Sequence, residues 1–347
     1  KRMNWMKRLT AIALCGALVA SFAGCSGADT TWIAKYGDTK LPAGVYIATM
    51  MDVYSEAKYR VPDQKGDLLS PQIDEVNADE WICNETMNRV KEHIAIDQLF
   101  DEMGLSFTEE QQKQIDDSFT YQWGMLQKIY ELNGVGETSL KLNLENNAKV
   151  NVLFQAIYGK DGTKAVSDEE LLDKIEQDYA KTQYILLSKV DNTGTALPED
   201  KLATVKELAE SYLARAQAGE KILDLILEEE KRTAENPDDV HSHEDETIHD
   251  ALVSKENSNF PKEFVEAIFQ KELNEPFLVE TEEYLFVATR LSVRDEKMLE
   301  SLRNTALLSL KSEEFQKDLE DRANSLENVT INEGAVNRYT PKKIRLG

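Results

Sequence analysis

Basic side chains are few in this chain: 40 Lys and Arg stand against 64 Asp and Glu, a formal net charge of −24 over 347 residues. That balance excludes nucleic acid as the main partner, because phosphate binding needs clustered Lys and Arg. It also excludes a folded face pressed onto anionic lipid. Glycine (16) and proline (8) are scarce, so long uninterrupted helices are expected. Histidine (4) and cysteine (3) are scarcer still, which leaves little material for metal centres or disulfides. No Gly-x-Gly-x-x-Gly, phosphate-binding Gly-rich loop, Gly-x-Ser-x-Gly or His-Glu-x-x-His pattern occurs. Dinucleotide, nucleotide, serine-hydrolase and zinc-protease chemistry therefore have no support, and no cofactor is implied. What the chain does contain is 41% hydrophobic and 8% aromatic residues, enough for packed cores and too much for a disordered chain.

The scarce positive charge is unevenly placed. Residues 1–24 carry Lys1, Arg2, Lys7 and Arg8 and no acid, and a chain starting after them is four charges more negative. Lys7 and Arg8 precede an apolar run from Leu9 to Phe22, too short for a comfortable membrane span and shaped like a secretory signal. The run ends in Phe22-Ala23-Gly24-Cys25, which resembles the lipobox of bacterial lipoproteins, with Phe22 in place of the usual Leu. The resemblance implies a signal peptide over 1–24, a lipid on Cys25, and an extracytoplasmic protein anchored to the outer face of a bacterial membrane. An ordinary signal peptide that happens to contain a cysteine is the other reading. Cys15 lies inside the signal, so Cys83 is the one thiol of the body. It shares a helical face with Met87, Val90 and Ile94 and reads as a buried, inert residue.

The body opens with a hairpin, Trp32–Tyr36 and Lys40-Leu41 around Gly37-Asp38-Thr39. Helices are expected to about Arg60, then over about 78–103, from Thr108 to about Leu132, and over about 138–158. A loop fills 61–78. Ser167-x-x-Glu170 opens a short helix to about Tyr179. The pattern then changes. Tyr184-Ile185-Leu186-Leu187 has strand character, Asp191-Asn192-Thr193-Gly194 is a turn, and Leu202, Val205, Leu208, Tyr212, Leu213 and Ala216 form one face of a helix stopped by Gly219. Residues 231–259 are polar and without periodicity. A short helix over Pro261–Phe269 and strands at 277–279 and 284–291 complete a β-α-loop-α-β-β unit. A long helix from about Asp295 to Asn324 and a strand at 329–331 close the chain, the strand's natural mate being the N-terminal hairpin. The fold class is α+β, mostly helical: a helical domain over 25–180 completed by 294–347, with an α+β domain over 181–293 inserted.

The inserted domain resembles a parvulin-type prolyl isomerase. The carrying segments are Tyr184 to Leu187, Ala214 to Glu220, Phe260-Pro261-Lys262-Glu263-Phe264-Val265-Glu266-Ala267-Ile268-Phe269, and Leu278 to Thr281. The segment order, with Tyr36 to Gly44 at the front, is similar to the PrsA/SurA foldases. The resemblance implies a helical chaperone part that holds unfolded or proline-containing exported polypeptides beside an isomerase unit. Active members carry a His just before the first Ile-Leu pair and another on the last strand. Tyr184 and Phe286 stand there, and of a Gly-Asp-Leu-Gly loop only Leu252 survives in Asp250-Ala251-Leu252-Val253. The resemblance thus leaves Tyr184 and Thr281 as candidate catalytic residues, Leu252, Phe260, Phe264 and Phe286 as candidate substrate-binding residues, and isomerase activity weak or absent. The other reading of Tyr184 and Phe286 is that both are simply strand core residues.

A second class of function rests on His241-Ser242-His243 with His249, a candidate metal or solute site in a flexible acidic loop. His93, beside Glu92 on a helix, is expected at the surface. The acid runs Asp168-Glu169-Glu170 and Glu228-Glu229-Glu230 are expected to be solvated helix faces.

Overall fold

Two apolar patterns, one of helical period and one alternating, build the cores of this chain. The computed structural model describes residues 30–61, 67–240 and 245–346. The signal segment, Cys25, His241 and His243 lie outside the described residues. The chain divides into Lys1–Ile157 with Glu313–Gly347, and Tyr158–Ser312. Both are α+β, and helix dominates.

In the first unit β1 (Trp32–Tyr36) and β2 (Thr39–Pro42) form a hairpin that turns at Gly37, whose φ of +52° suits a residue without a Cβ. The last strand, β9 (Val329–Ile331), lies antiparallel to β1, giving the order β2-β1-β9. Pro42 ends the hairpin and caps α1 (Ala43–Arg60), which buries Val45, Tyr46, Met50, Val53 and Ala57 at helical spacing. They meet Ile33 and Leu41 of the hairpin and Ile82, Val90 and Ile94 of α2 (Ala78–Glu102). The expected 61–78 loop contains one further element, a two-stranded ribbon of β3 (Gln72–Ile73) and β4 (Val76–Asn77). Its turn puts Asp74 and Glu75 at φ +49° and +68°. Neither is glycine, so the turn left no signature in the sequence. Two further helices are α3 (Glu109–Asn133), begun by the reciprocal Thr108–Gln111 capping box, and α4 (Glu137–Tyr158).

One polar cluster is buried in this unit. Asp97 on α2 accepts hydrogen bonds from Tyr36 Oη (2.8 Å), Asn146 Nδ2 (3.0 Å) and Lys149 Nζ (2.7 Å), and His93 Nε2 stands 3.5 Å away. Asn146 also donates to the His93 carbonyl. His93 is therefore a core residue, contrary to the surface position expected from its neighbour Glu92. The cluster ties β1, α2 and α4 together through one carboxylate. Burial alone would raise the Asp97 pKa, but His93 and Lys149 outweigh it and hold the carboxyl well below the usual range. Burial and the adjacent Asp97 push the Tyr36 phenol above its ordinary value.

In the second unit α5 (Asp168–Asp178), capped by Ser167, leads into β5 (Tyr179–Ser188). Then come α6 (Glu199–Gln217), α7 (Ile222–Thr233), β6 (Ala251–Ser254), α8 (Lys262–Ile268), β7 (Pro276–Glu280), β8 (Tyr284–Leu291) and the start of α9 (Glu296–Asn324). The strands form one antiparallel sheet ordered β6-β5-β8-β7. Ile185, Leu187, Leu285 and Val287 point to one face and pack on Tyr212, Ala216, Leu225 and Ile226 of α6 and α7. Ala180, Phe286, Ala288 and Phe277 point to the other face and pack on Phe264, Val265 and Ile268 of α8. This unit starts earlier and ends later than the expected 181–293. Arg294 bridges Glu169, Asp173 and Glu176 of α5 and so fastens the helix before β5 to the chain after β8. β6 was not expected, and α7 was expected only as the helix face carrying Glu228-Glu229-Glu230. Within α7, Glu229 is buried, accepting from Tyr212 Oη (3.1 Å) and bridged to Arg232 (2.6 Å), so the middle residue of that acid run is not solvated.

The depressed Asp97 pKa fixes the sign of an acid effect. A carboxylate held below its unfolded value of about 3.9 stabilises the fold above that pH, and the contribution is lost as pH falls toward the folded value. The first unit is expected to lose more stability between about pH 4 and pH 2 in the wild type than in Asp97→Asn, measured by urea unfolding at each pH. The raised Tyr36 phenol adds a loss on the alkaline side, above about pH 10, that Tyr36→Phe removes.

Candidate functional site

The α8-covered face of the second sheet collects most of the candidate residues, and they arrive there by strand parity. Tyr184 of β5 lies opposite Ala288, and Phe286 of β8 lies opposite Leu186. Even-numbered β5 residues and even-numbered β8 residues therefore share this face. Pro261 at the N-cap starts α8, which drops Phe264 onto the sheet, with Phe260 immediately before it.

The rings pack on one another. Phe264 and Phe286 have centroids 4.5 Å apart, and Phe260 and Phe264 5.1 Å apart. Tyr184 meets Phe260 edge-on at 5.4 Å, Phe286 at 5.6 Å and Phe264 at 6.1 Å. Phe277 and Tyr284 extend the cluster at 6.2 and 6.3 Å from Phe264 and Phe286. Phe264 is 0% and Phe286 3% exposed. Tyr184 and Phe260 are half-buried and form its solvent side. An incoming apolar ring would thus touch Tyr184 and Phe260 first. Reaching Phe264 or Phe286 requires moving a ring aside.

Thr281 is elsewhere in its chemistry. It sits in the β7–β8 turn, where its backbone N–H donates to the Tyr284 carbonyl (2.8 Å) and its hydroxyl accepts from Tyr284 N (3.1 Å). The same hydroxyl donates to the Tyr284 carbonyl at 3.2 Å. It is a turn staple whose hydrogen bonds are already used. Lys189 donates to both the Thr281 carbonyl and Glu280 (2.7 Å each), and Lys206 reaches Glu280 at 3.0 Å. These bonds, Lys189's first, hold the Glu280 carboxyl below its usual value.

Leu252 does not join the cluster. It pairs with Lys181 on β5 and points to the opposite face, while its neighbour Val253 enters the aromatic core. The one-residue offset has a plain cause: Ala251–Ser254 is a strand, in which adjacent side chains face opposite ways, and not the loop expected from the sequence. Leu186 was missed. It shares the face of Tyr184, is 43% exposed, and carries the signature of an apolar residue at an even position of β5.

The cluster therefore offers apolar surface and two phenol hydroxyls, those of Tyr184 and Tyr284. Phe286 brings neither donor nor acceptor to the position where the resembled isomerases hold a His. Prolyl isomerisation must lower a barrier of about 18–20 kcal/mol by favouring a twisted amide over planar ones. Rings can hold a proline, and Tyr184 and Tyr284 are the cluster's hydrogen-bonding side chains.

Of the remaining candidates, His249 stands 3.3 Å from Glu230. Among the described residues no group of three or more His, Cys, Asp or Glu is placed to hold a metal ion. Cys83 is half-buried, and burial with the nearby Asp79 and Glu80 pushes its thiol pKa up, away from the reactive thiolate. No described helix is long and apolar enough to cross a membrane.

Several solved structures are similar to this chain. The foldase protein PrsA from Streptococcus pneumoniae is 12% identical, with 78% of this chain and 98% of that chain covered and a TM-score of 0.31. The foldase protein PrsA from Lactococcus lactis is 12% identical, covering 89% and 99%, with a TM-score of 0.34. PrsA from Bacillus subtilis is 15% identical, covering 79% and 91%, with a TM-score of 0.24. No family model matches the chain, and no curated protein does.

The ring geometry sets an energetic order. Phe264→Ala is expected to cost about 3–5 kcal/mol, because it empties the centre of a closed core. Phe260→Ala is expected to cost about half as much or less, since part of that ring already faces water. Urea unfolding of the full chain measures both, and equal costs would contradict the burial order.

Proposed function

We propose that this protein is an extracytoplasmic, lipid-anchored chaperone of exported polypeptides, whose parvulin-like unit has weak or no isomerase activity. The observation that carries the holding half of this reading is α3. Ile115 is its one residue with a buried side chain among 25. Tyr121, Met125 and Leu132, on one face at helical spacing, are 70, 69 and 63% exposed. On the other face Phe119, Trp123 and Tyr130 stack, with centroids 6.0 and 6.2 Å apart, so the helix is stiffened without covering its exposed stripe. An exposed row of large apolar side chains on a stable helix is a surface that gains by covering an unfolded chain's apolar segment. The strong surplus of acid keeps such a surface soluble.

The aromatic face of the second unit supports the weak-isomerase half, since it retains apolar rings and lacks the paired His. The extracytoplasmic, lipid-anchored part rests on Phe22 to Cys25 and the apolar run before them.

Tyr121→Ser, Met125→Ser and Leu132→Ser combined should leave stability within about 0.5 kcal/mol, because the changes are at exposed positions. The triple variant should nevertheless lose most of the chain's suppression of aggregation of a denatured client, followed by light scattering. Full suppression by a folded triple variant would sink the α3 reading. In the cell, Cys25→Ala is expected to abolish fatty-acid labelling and to release the protein from the membrane fraction.

A further inference from the structure

The sheet of the second unit has two edges, and they are treated differently. The β7 edge begins with Pro276, which has no N–H to offer, and ends with the ion-paired Glu280. The β6 edge reads Ala251-Leu252-Val253-Ser254, without charge or proline. Natural sheets guard such edges because their free N–H and C=O groups are a template for another strand. The direction of those groups follows from the pairing. Lys255 N donates to the Asp178 carbonyl at 2.8 Å. Antiparallel alternation then points Val253 and Ala251 inward to Ala180 and Thr182, and turns the N–H and C=O of Leu252 and Ser254 to the open edge.

Beside that edge lies a cleft of about 630 Å³, lined by the Leu252 side chain and by Met298. Leu252 is 41% exposed, as is the nearby Ile248 at 43%. The cleft also holds four acids, Asp250, Asp295, Glu296 and Glu300, against Lys181 and Lys297. Lys181 is already engaged with Asp295 (3.1 Å) and Asp250 (3.8 Å), so the rim carries surplus negative charge.

We propose that the β6 edge is a second polypeptide-binding site, which takes as a fifth strand an extended segment whose cleft-facing residues, at every second position, are apolar and basic in turn. Main-chain bonds to Leu252 and Ser254 supply register. Leu252 and Met298 cover an apolar side chain, and Glu296 and Glu300 attract the basic ones. The site lies on the sheet face away from Tyr184, so it does not depend on the aromatic cluster or on any isomerase activity.

The test uses the full chain and a fluorescein-labelled nine-residue peptide in which valine and lysine take turns at every second position with threonine between, followed by fluorescence anisotropy. The peptide is expected to bind, and binding should slow amide exchange at Leu252 and Ser254. Weakening of at least about tenfold is expected when alternate peptide nitrogens are methylated, which removes several charge-neutral hydrogen bonds at once. Replacing lysine by glutamate should weaken it similarly. Leu252→Pro removes the outward N–H while leaving the β5 pairing intact, and should also lose binding. If that variant does not fold, the methylated peptide decides the question by itself. No binding of the valine-lysine peptide, equal binding of the methylated or glutamate versions, or unchanged binding by folded Leu252→Pro would overturn the proposal. So would a doubling of mass in light scattering that Leu252→Pro abolishes, since the occupant would then be a second copy of this chain.

Discussion

The second unit depends on the contact between the rings of Phe264 and Phe286, 4.5 Å apart and closed to solvent. That contact joins α8 to the centre of the sheet, and Tyr184, Phe260, Phe277 and Tyr284 arrange themselves around it. It also decides what the face can do. A ring on β8 packs tightly because it carries no polar atom that needs a partner, and for the same reason it supplies no hydrogen bond to a twisted amide. The opposite sheet face packs Ile185, Leu187, Leu285 and Val287 on α6 and α7 around the fully buried Tyr212.

The first unit solves a different problem. Its termini are far apart in sequence, and β9 comes back to pair with β1, so the unit closes only when its last strand arrives. The buried carboxylate of Asp97 then ties β1, α2 and α4 to one point through Tyr36, Asn146 and Lys149. A charge in a core is costly unless its hydrogen bonds are filled, and here they are. With the scaffold fixed in this way, α3 can be long, well capped and largely uncovered, which is the condition for an exposed apolar stripe to persist without collapsing onto its own core.

Most of the fold was legible because the signals were local and strong. The Thr108–Gln111 capping box and the helical spacing of Val45, Tyr46, Met50 and Val53 name their helices directly. What was not legible depended on partners distant in sequence. The β6 strand has four residues and no alternation of its own, and only β5 makes it a strand. The Asp74-Glu75 turn is held by its ribbon and not by glycine. His93 and Glu229 look solvated beside their acidic neighbours until Asp97 in one case, and Tyr212 and Arg232 in the other, are brought to them by packing. For the candidate site, Tyr184, Phe260, Phe264 and Phe286 come together, while Leu252 fails by one residue of strand parity and Thr281 by being used in its own turn.

The account turns on whether packed rings have replaced catalytic groups. The direct measurement is the cis-to-trans rate of a proline-containing tetrapeptide, in a protease-coupled assay, with the full chain and with Tyr184→His combined with Phe286→His. The wild type is expected to accelerate the reaction little or not at all, and the double variant, where it folds, to do better. Vigorous turnover by the wild type, lost on Tyr184→Phe, would show that one phenol hydroxyl among rings suffices and would contradict the account.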